Sequence, residues 1–181
     1  MVAMAYTVAF DGIDARLVQV QCAISPGLPG FSIVGLPDKA VSEARERVRA
    51  ALTSMAIALP SQRISINLSP ADMPKEGSHF DLPIALAVLA ALDVVPHEEV
   101  SDLVALGELS LDGTLVPVIG ALPAAVAAGD GDRSLMCPAA CGAEAAWVDS
   151  VRVIAPTSLA QAISHLTGRA VLDPAVPGDV T

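Results

Sequence analysis

S-P-A-D-M-P-K-E-G-S-H-F-D-L-P, residues 69–83, stands between two segments of opposite character. Before it, residues 63–68 alternate Ile64, Ile66 and Leu68 and predict a half-buried strand. After it, residues 82–92 are apolar almost all round and predict a helix buried on several sides. Pro83 suits the first turn of that helix, with Asp81 or Ser78 as its cap. A polar loop that opens a buried helix is a common seat of chemistry in α/β proteins, because the first N–H groups of a helix have no internal partner and carry partial positive charge. Lys75, Glu76, Ser78, His79 and Asp81 crowd into this one turn.

Working outward, strand signals lead the first half of the chain. Residues 6–10 and 15–24 read as two strands around an Asp11-Gly12 turn, and residues 31–34 as a third. Asp38 then caps a helix over 39–55, whose apolar stripe is Val41, Ala44, Val48, Ala51, Leu52 and Met55. Its other face carries Lys39, Glu43, Arg45, Glu46, Arg47 and Arg49. Glu43 and Arg47 stand at i,i+4 and can support each other, whereas Arg45 and Arg49 repel unless a partner supplies anions. That face is either plainly solvated or a contact surface for a neighbouring subunit or DNA.

The second half alternates strand and helix. Residues 103–109 and 114–118 predict a hairpin around Asp112-Gly113, followed by a small-residue helix over 120–128. A strand over 135–137, a helix over 139–148, a strand over 151–154 and a helix over 158–166 capped by Thr157 and ended by Gly168 complete the pattern. These elements describe an α/β domain over residues 1–168, one mixed sheet packed with helices. Residues 169–181 collect proline and glycine and read as a linker toward a further module.

Bulk composition narrows the function. The chain has 181 residues, enough for one domain with a real core. It is 53% hydrophobic with only 3% aromatic residues, so the core is built from small aliphatic side chains. Ten Lys+Arg against twenty Asp+Glu leave a formal net charge of −10, which argues against a domain that binds nucleic acid through its whole surface. Cys22, Cys137 and Cys141 form no disulfide or zinc-knuckle pattern and read as free, mostly buried thiols; no metal site is expected. No apolar run reaches the roughly 20 residues of a membrane span, and a soluble cytoplasmic protein is expected.

Three stretches, G-L-P-D-K-A-V-S-E-A-R-E-R-V-R-A-A-L (35–52), R-I-S-I-N-L-S-P-A-D-M-P-K-E-G-S-H-F-D-L-P-I-A-L (63–86) and L-G-E-L-S-L-D-G (106–113), resemble the N-terminal domain of the YifB/ComM proteins, magnesium-chelatase-like AAA+ ATPases of bacteria. The resemblance covers about residues 4–168. It implies a fold like the proteolytic domain of Lon and like a ribosomal small-subunit protein domain. It implies an AAA+ module beyond this chain, with ATP and magnesium bound there, a hexameric ring, and DNA processing in recombination and natural transformation. The expected partners are the chain's own AAA+ module, neighbouring subunits and DNA, with no membrane.

Two departures qualify that resemblance. No G-x-x-x-x-G-K-[ST] occurs, so the phosphate cradle of an ATPase is missing from this chain and no cofactor is expected in it. Lon-type peptidases use a serine two residues after a glycine, activated by a lysine from a later segment. The matching positions here are His79, after Gly77, and Leu122, in P-V-I-G-A-L-P-A (117–124). The resemblance therefore implies a non-catalytic accessory domain. Two alternatives remain open: a rewired serine hydrolase using Ser78 with Lys75, and an anion-binding loop formed by Lys75, Gly77, Ser78 and His79. His79 can equally be a structural histidine.

Overall fold

The strand alternation of the first 25 residues produces a long hairpin, β1 (Val2–Asp11) and β2 (Asp14–Ser25), which forms the centre of the computed structural model. Residues 2–178 are described. β3 (Gly30–Val34) pairs in parallel with β4 (Arg63–Ser69), and β4 pairs antiparallel with β2. On the other side of β1 the parallel strands β5 (Leu103–Ala105), β8 (Ser134–Met136) and β9 (Val153–Ile154) complete a seven-stranded mixed sheet. Its order is β3-β4-β2-β1-β5-β8-β9.

One face of the sheet is closed by α1 (Lys39–Ser54) and α2 (Asp81–Ala91). The alternate residues Val18, Val20 and Cys22 of β2 and Ile64, Ile66 and Leu68 of β4 point to this side. The predicted stripe of α1 is buried from Val41 to Leu52, and α2 is buried at every position. Each buried Val or Leu contributes about 1.5–3 kcal/mol of transfer free energy, so these helices hold the sheet by area alone. Gly35, at φ 114°, lets the chain turn from β3 into α1 against β4; a Cβ there would stand 2.2 Å from the Leu68 carbonyl oxygen.

The opposite face is only half covered. α4 (Ala121–Asp130) and α5 (Gly142–Ala145) pack against Val8, Val104, Leu135 and Val153. The two remaining short strands, β6 (Glu108–Leu109) and β7 (Leu115–Val116), form a separate ribbon.

Several expectations need correction. The predicted strand over 103–109 splits in two, because Gly107 uses its N–H on the His79 carbonyl and its C=O on the Leu82 N–H. The helix over 139–148 shortens to a 3-10 turn (Ala139–Cys141) followed by α5. A helical turn α3 (His97–Ser101), opened by Pro96, falls where no element was predicted. α6 (Leu159–Leu166) is capped by Ser158, whose hydroxyl accepts from the Gln161 N–H; Thr157 instead donates to the Gln161 side chain. Neither Asp81 nor Ser78 caps α2: the preceding residue is Phe80, and the Asp81 carboxylate is used elsewhere. Residues 169–178 hold no helix or strand but are tied to the body, with the Ala175 N–H on the Val153 carbonyl and the Gly178 N–H on the Ala143 carbonyl. The last part of the predicted linker, 179–181, lies outside the described residues.

Candidate functional site

The 70–80 loop is stitched to the turn between β3 and α1. The Lys75 N–H donates to the Leu36 carbonyl and the Asp38 N–H to the Lys75 carbonyl, at 3.0 and 2.9 Å. Asp38 caps α1 as its sequence predicts: one carboxylate oxygen accepts from the Val41 N–H at 2.7 Å. The other accepts from the Gly77 N–H at 3.3 Å. A carboxylate of the chain itself thus occupies the loop N–H that an external anion would use.

Lys75 does not reach solvent. Its side chain is wholly buried and its ammonium donates to the Pro70 carbonyl. Burial pushes its pKa down, against the pull of the Asp72 carboxylate. Ser78 is half-buried, and its hydroxyl makes no hydrogen bond among the described residues. His79 is buried between Phe10 and Phe80, with ring centroids at 5.1 and 4.5 Å. Its Nε2 lies 2.7 Å from the Val8 carbonyl oxygen. A carbonyl can only accept, so Nε2 carries the proton and donates. Burial holds the imidazole below its usual pKa, hence neutral. Its other nitrogen packs against Gly77.

Behind the loop lies an ion pair that sequence reasoning did not find. Asp81 is wholly buried, and Arg47 grips it with two N–H groups, Nε at 2.6 Å and Nη2 at 3.0 Å. The Leu109 N–H adds a third donor at 2.9 Å. Arg47 also donates to the Ala40 carbonyl and meets Glu43 at 3.4 Å. The pairing with Asp81 raises the Arg47 pKa. Burial pushes the Asp81 carboxyl up, and the guanidinium and the Leu109 N–H draw it back. Arg47 is therefore turned inward, while Arg45 and Arg49 stay exposed. Arg45 reaches the Ser42 carbonyl and, at 3.5 Å, the Phe31 carbonyl on the outer strand.

In front of the loop a cleft of about 1020 Å³ opens between the β1–β2 turn, Asp38, residues 76–79, and residues 117–126 that lead into and open α4. His79 and Leu122 line the same cleft. Lys75 does not line it. The Phe10 ring forms part of the wall and rests on Gly120, where a Cβ would come within 2.3 Å of the ring. Ile13 and Ile119 stand on the rim. An isoleucine in a loop between proline and glycine was the only sequence signal for this wall. Among the described residues no group of three or more His, Cys, Asp or Glu side chains could hold a metal ion, and no helix is long and apolar enough to cross a membrane.

Residues 20–140 match the family described as subunit ChlI of Mg-chelatase. The chain belongs to this family. Within it, the chain is 40% identical over 167 residues to the competence protein ComM of Haemophilus influenzae, covering 92% of this chain and 33% of that protein. It is 43% identical over 131 residues to the uncharacterised protein YifB of Escherichia coli, covering 72% and 26%. An uncharacterised protein of Mycobacterium tuberculosis strain H37Rv is 44% identical over 165 residues, covering 91% and 33%. The chain spans about a quarter to a third of the length of these relatives.

Proposed function

We propose that this chain is a non-catalytic accessory domain of a magnesium-chelatase-like AAA+ ATPase, serving assembly or substrate engagement in DNA processing. The observation that carries the reading is the pairing of His79 and Leu122 on one cleft. By resemblance to Lon these are the places of a nucleophile and its activating lysine. A leucine cannot take a proton, and the imidazole proton of His79 is held by the Val8 carbonyl. The nearest lysine in sequence, Lys75, is buried on the Pro70 carbonyl rather than beside Ser78. ATP and magnesium would bind in the further two thirds of a parent protein of the relatives' length. That module, and neighbouring subunits of a hexameric ring, would be the partners of this domain. DNA contact would fall to the exposed Arg45 and Arg49, the local exception on a chain of net charge −10.

The test is a fluorophosphonate probe applied to the chain and to Ser78→Ala. The expected result is no labelling of either. Labelling of the parent that disappears in Ser78→Ala would establish the rewired serine hydrolase instead. The anion-loop reading has no comparable support, since Asp38 already takes the Gly77 N–H.

A further inference from the structure

We propose that the cleft is a docking groove for an extended peptide segment that brings an apolar side chain and a neighbouring Lys or Arg. The inference does not depend on whether Ser78 reacts. It rests on the walls of the cleft, its charges and its unpaired backbone.

The walls are apolar. Phe10, Leu122 and Val126 are partly exposed in it, and Ile13 and Ile119 on its lips are 93% and 94% exposed. Fully exposed isoleucines facing one concavity of about 1020 Å³ leave apolar area in water that an occupant would bury. Among the described residues the acidic side chains that line the cleft are Asp38 and Glu76 and no Lys or Arg lines it, while His79 is neutral. A bound phosphate chain would be repelled, whereas a cation beside an apolar side chain is complementary. The N–H groups of Val118 and Ile119, on the cleft wall, form no hydrogen bond among the described residues. An extended backbone can satisfy such groups, as in strand addition. This combination favours a peptide over a second apolar helix, which would offer no free carbonyls.

The test uses the ¹⁵N-labelled chain and three pools of short synthetic peptides. One pool has a centre randomised over Ile, Leu, Val and Phe and one flanking Arg. The second replaces the Arg by Glu, and the third replaces the apolar centre by Ser and Asn. Saturable amide shifts are expected with the first pool at Ile13, Gly77, Val118 and Ile119. The Glu pool should bind about tenfold more weakly and the polar pool should not saturate below about 1 mM. Ile119→Lys, a change at an exposed position that leaves the fold intact, should weaken the first pool about tenfold or more. Glu76→Lys should reverse the preference between the Arg and Glu pools. No saturation with any pool, equal binding of all three, or shifts unchanged by Ile119→Lys would overturn the proposal. So would displacement of the first pool by a short oligodeoxythymidylate acting at the same amides. None of these outcomes bears on fluorophosphonate labelling, so the two readings fail separately.

Discussion

Replacing Arg47 by Met tests whether the 81 region is held by charge. The stem volume is kept and the fork is lost. In the structure the Asp81 carboxylate has no exposed surface and three N–H donors, two of them from Arg47 at 2.6 and 3.0 Å. The variant leaves it the Leu109 N–H alone. Removing one partner of a buried ion pair costs about 3–5 kcal/mol. The Arg47 side chain is itself 20% exposed, so water can enter behind it, which places the expected loss at the lower end, about 3 kcal/mol. For a chain of this length that lowers Tm by about 6–12 °C. Asp81→Asn retains an acceptor for Leu109 and leaves Arg47 its contacts with Ala40 and Glu43, so it should cost less, about 1–3 kcal/mol. The double variant should then recover at least about 1.5 kcal/mol relative to the sum of the singles.

The pH dependence gives a second readout. Burial already raises the Asp81 pKa, and without the guanidinium nothing but one N–H opposes it. A carboxyl whose folded pKa lies above its unfolded value takes up a proton first in the folded state, so stability falls as pH rises between the two. The Arg47→Met penalty is therefore full at about pH 7 and smaller at about pH 5. Urea unfolding followed by circular dichroism at both pH values measures all of this. A loss below about 1 kcal/mol in Arg47→Met, or strict additivity in the double variant, would refute the reasoning.

Other substitutions have defined outcomes. His79 is buried and neutral, so the folded chain protonates it at lower pH than the unfolded chain does. Its contribution is full above about pH 6.5 and is lost as pH falls. His79→Gln keeps a donor for the Val8 carbonyl and should flatten the fall in urea midpoint between about pH 7.5 and 5.5; equal slopes would exclude this origin. Gly120→Ala places a Cβ 2.3 Å from the Phe10 ring at φ 100°, and should cost about 2–4 kcal/mol by thermal melting, partly restored by Phe10→Leu. Arg45→Ala with Arg49→Ala should change stability by less than about 0.5 kcal/mol, in contrast to Arg47→Met two residues away on the same helix.

The local elements were legible because periodicity reports burial. The stripe from Val41 to Leu52 and the wholly apolar α2 fell where their spacing placed them. What pattern could not supply was the destination of polar groups. Arg47 shares a face with Arg45 and Arg49 by type, but its longer reach inward past Ala40 is set by the depth of Asp81, a distance of 34 residues in sequence. The sequence offered Lys75 as a partner for Ser78 or an anion, but its ammonium turns back to the Pro70 carbonyl five residues earlier, a loop fold that residue type alone does not announce. The split of the 103–109 strand likewise follows from a non-local bond, the Gly107 N–H on the His79 carbonyl. The cleft was half legible. Its two facing positions, His79 and Leu122, came from the resemblance, whereas Phe10, Ile13 and Ile119 lie in turns whose proximity only the topology decides.

The three motifs that carry the family resemblance meet in one place. From the first motif come Asp38, which ties down Gly77, and Arg47, which pairs with Asp81. The second supplies Lys75, His79 and Asp81 themselves. The third supplies the Gly107 backbone, bonded to His79 and Leu82, and the Leu109 N–H on Asp81. The bonds Asp38–Gly77, Arg47–Asp81, Gly107–His79, Gly107–Leu82 and Leu109–Asp81 each cross from one motif to another. Removing one partner costs about 1–3 kcal/mol at a neutral donor and about 3–5 kcal/mol at the ion pair, against a net domain stability of about 5–15 kcal/mol. His79 and Leu122 line the cleft, whereas Arg47 and Asp81 do not. The cross-motif bonds fix the loop, and the loop fixes the cleft. These contacts are enough to hold a shaped apolar groove whatever its chemistry, and what fills that groove becomes the question that the peptide titration answers.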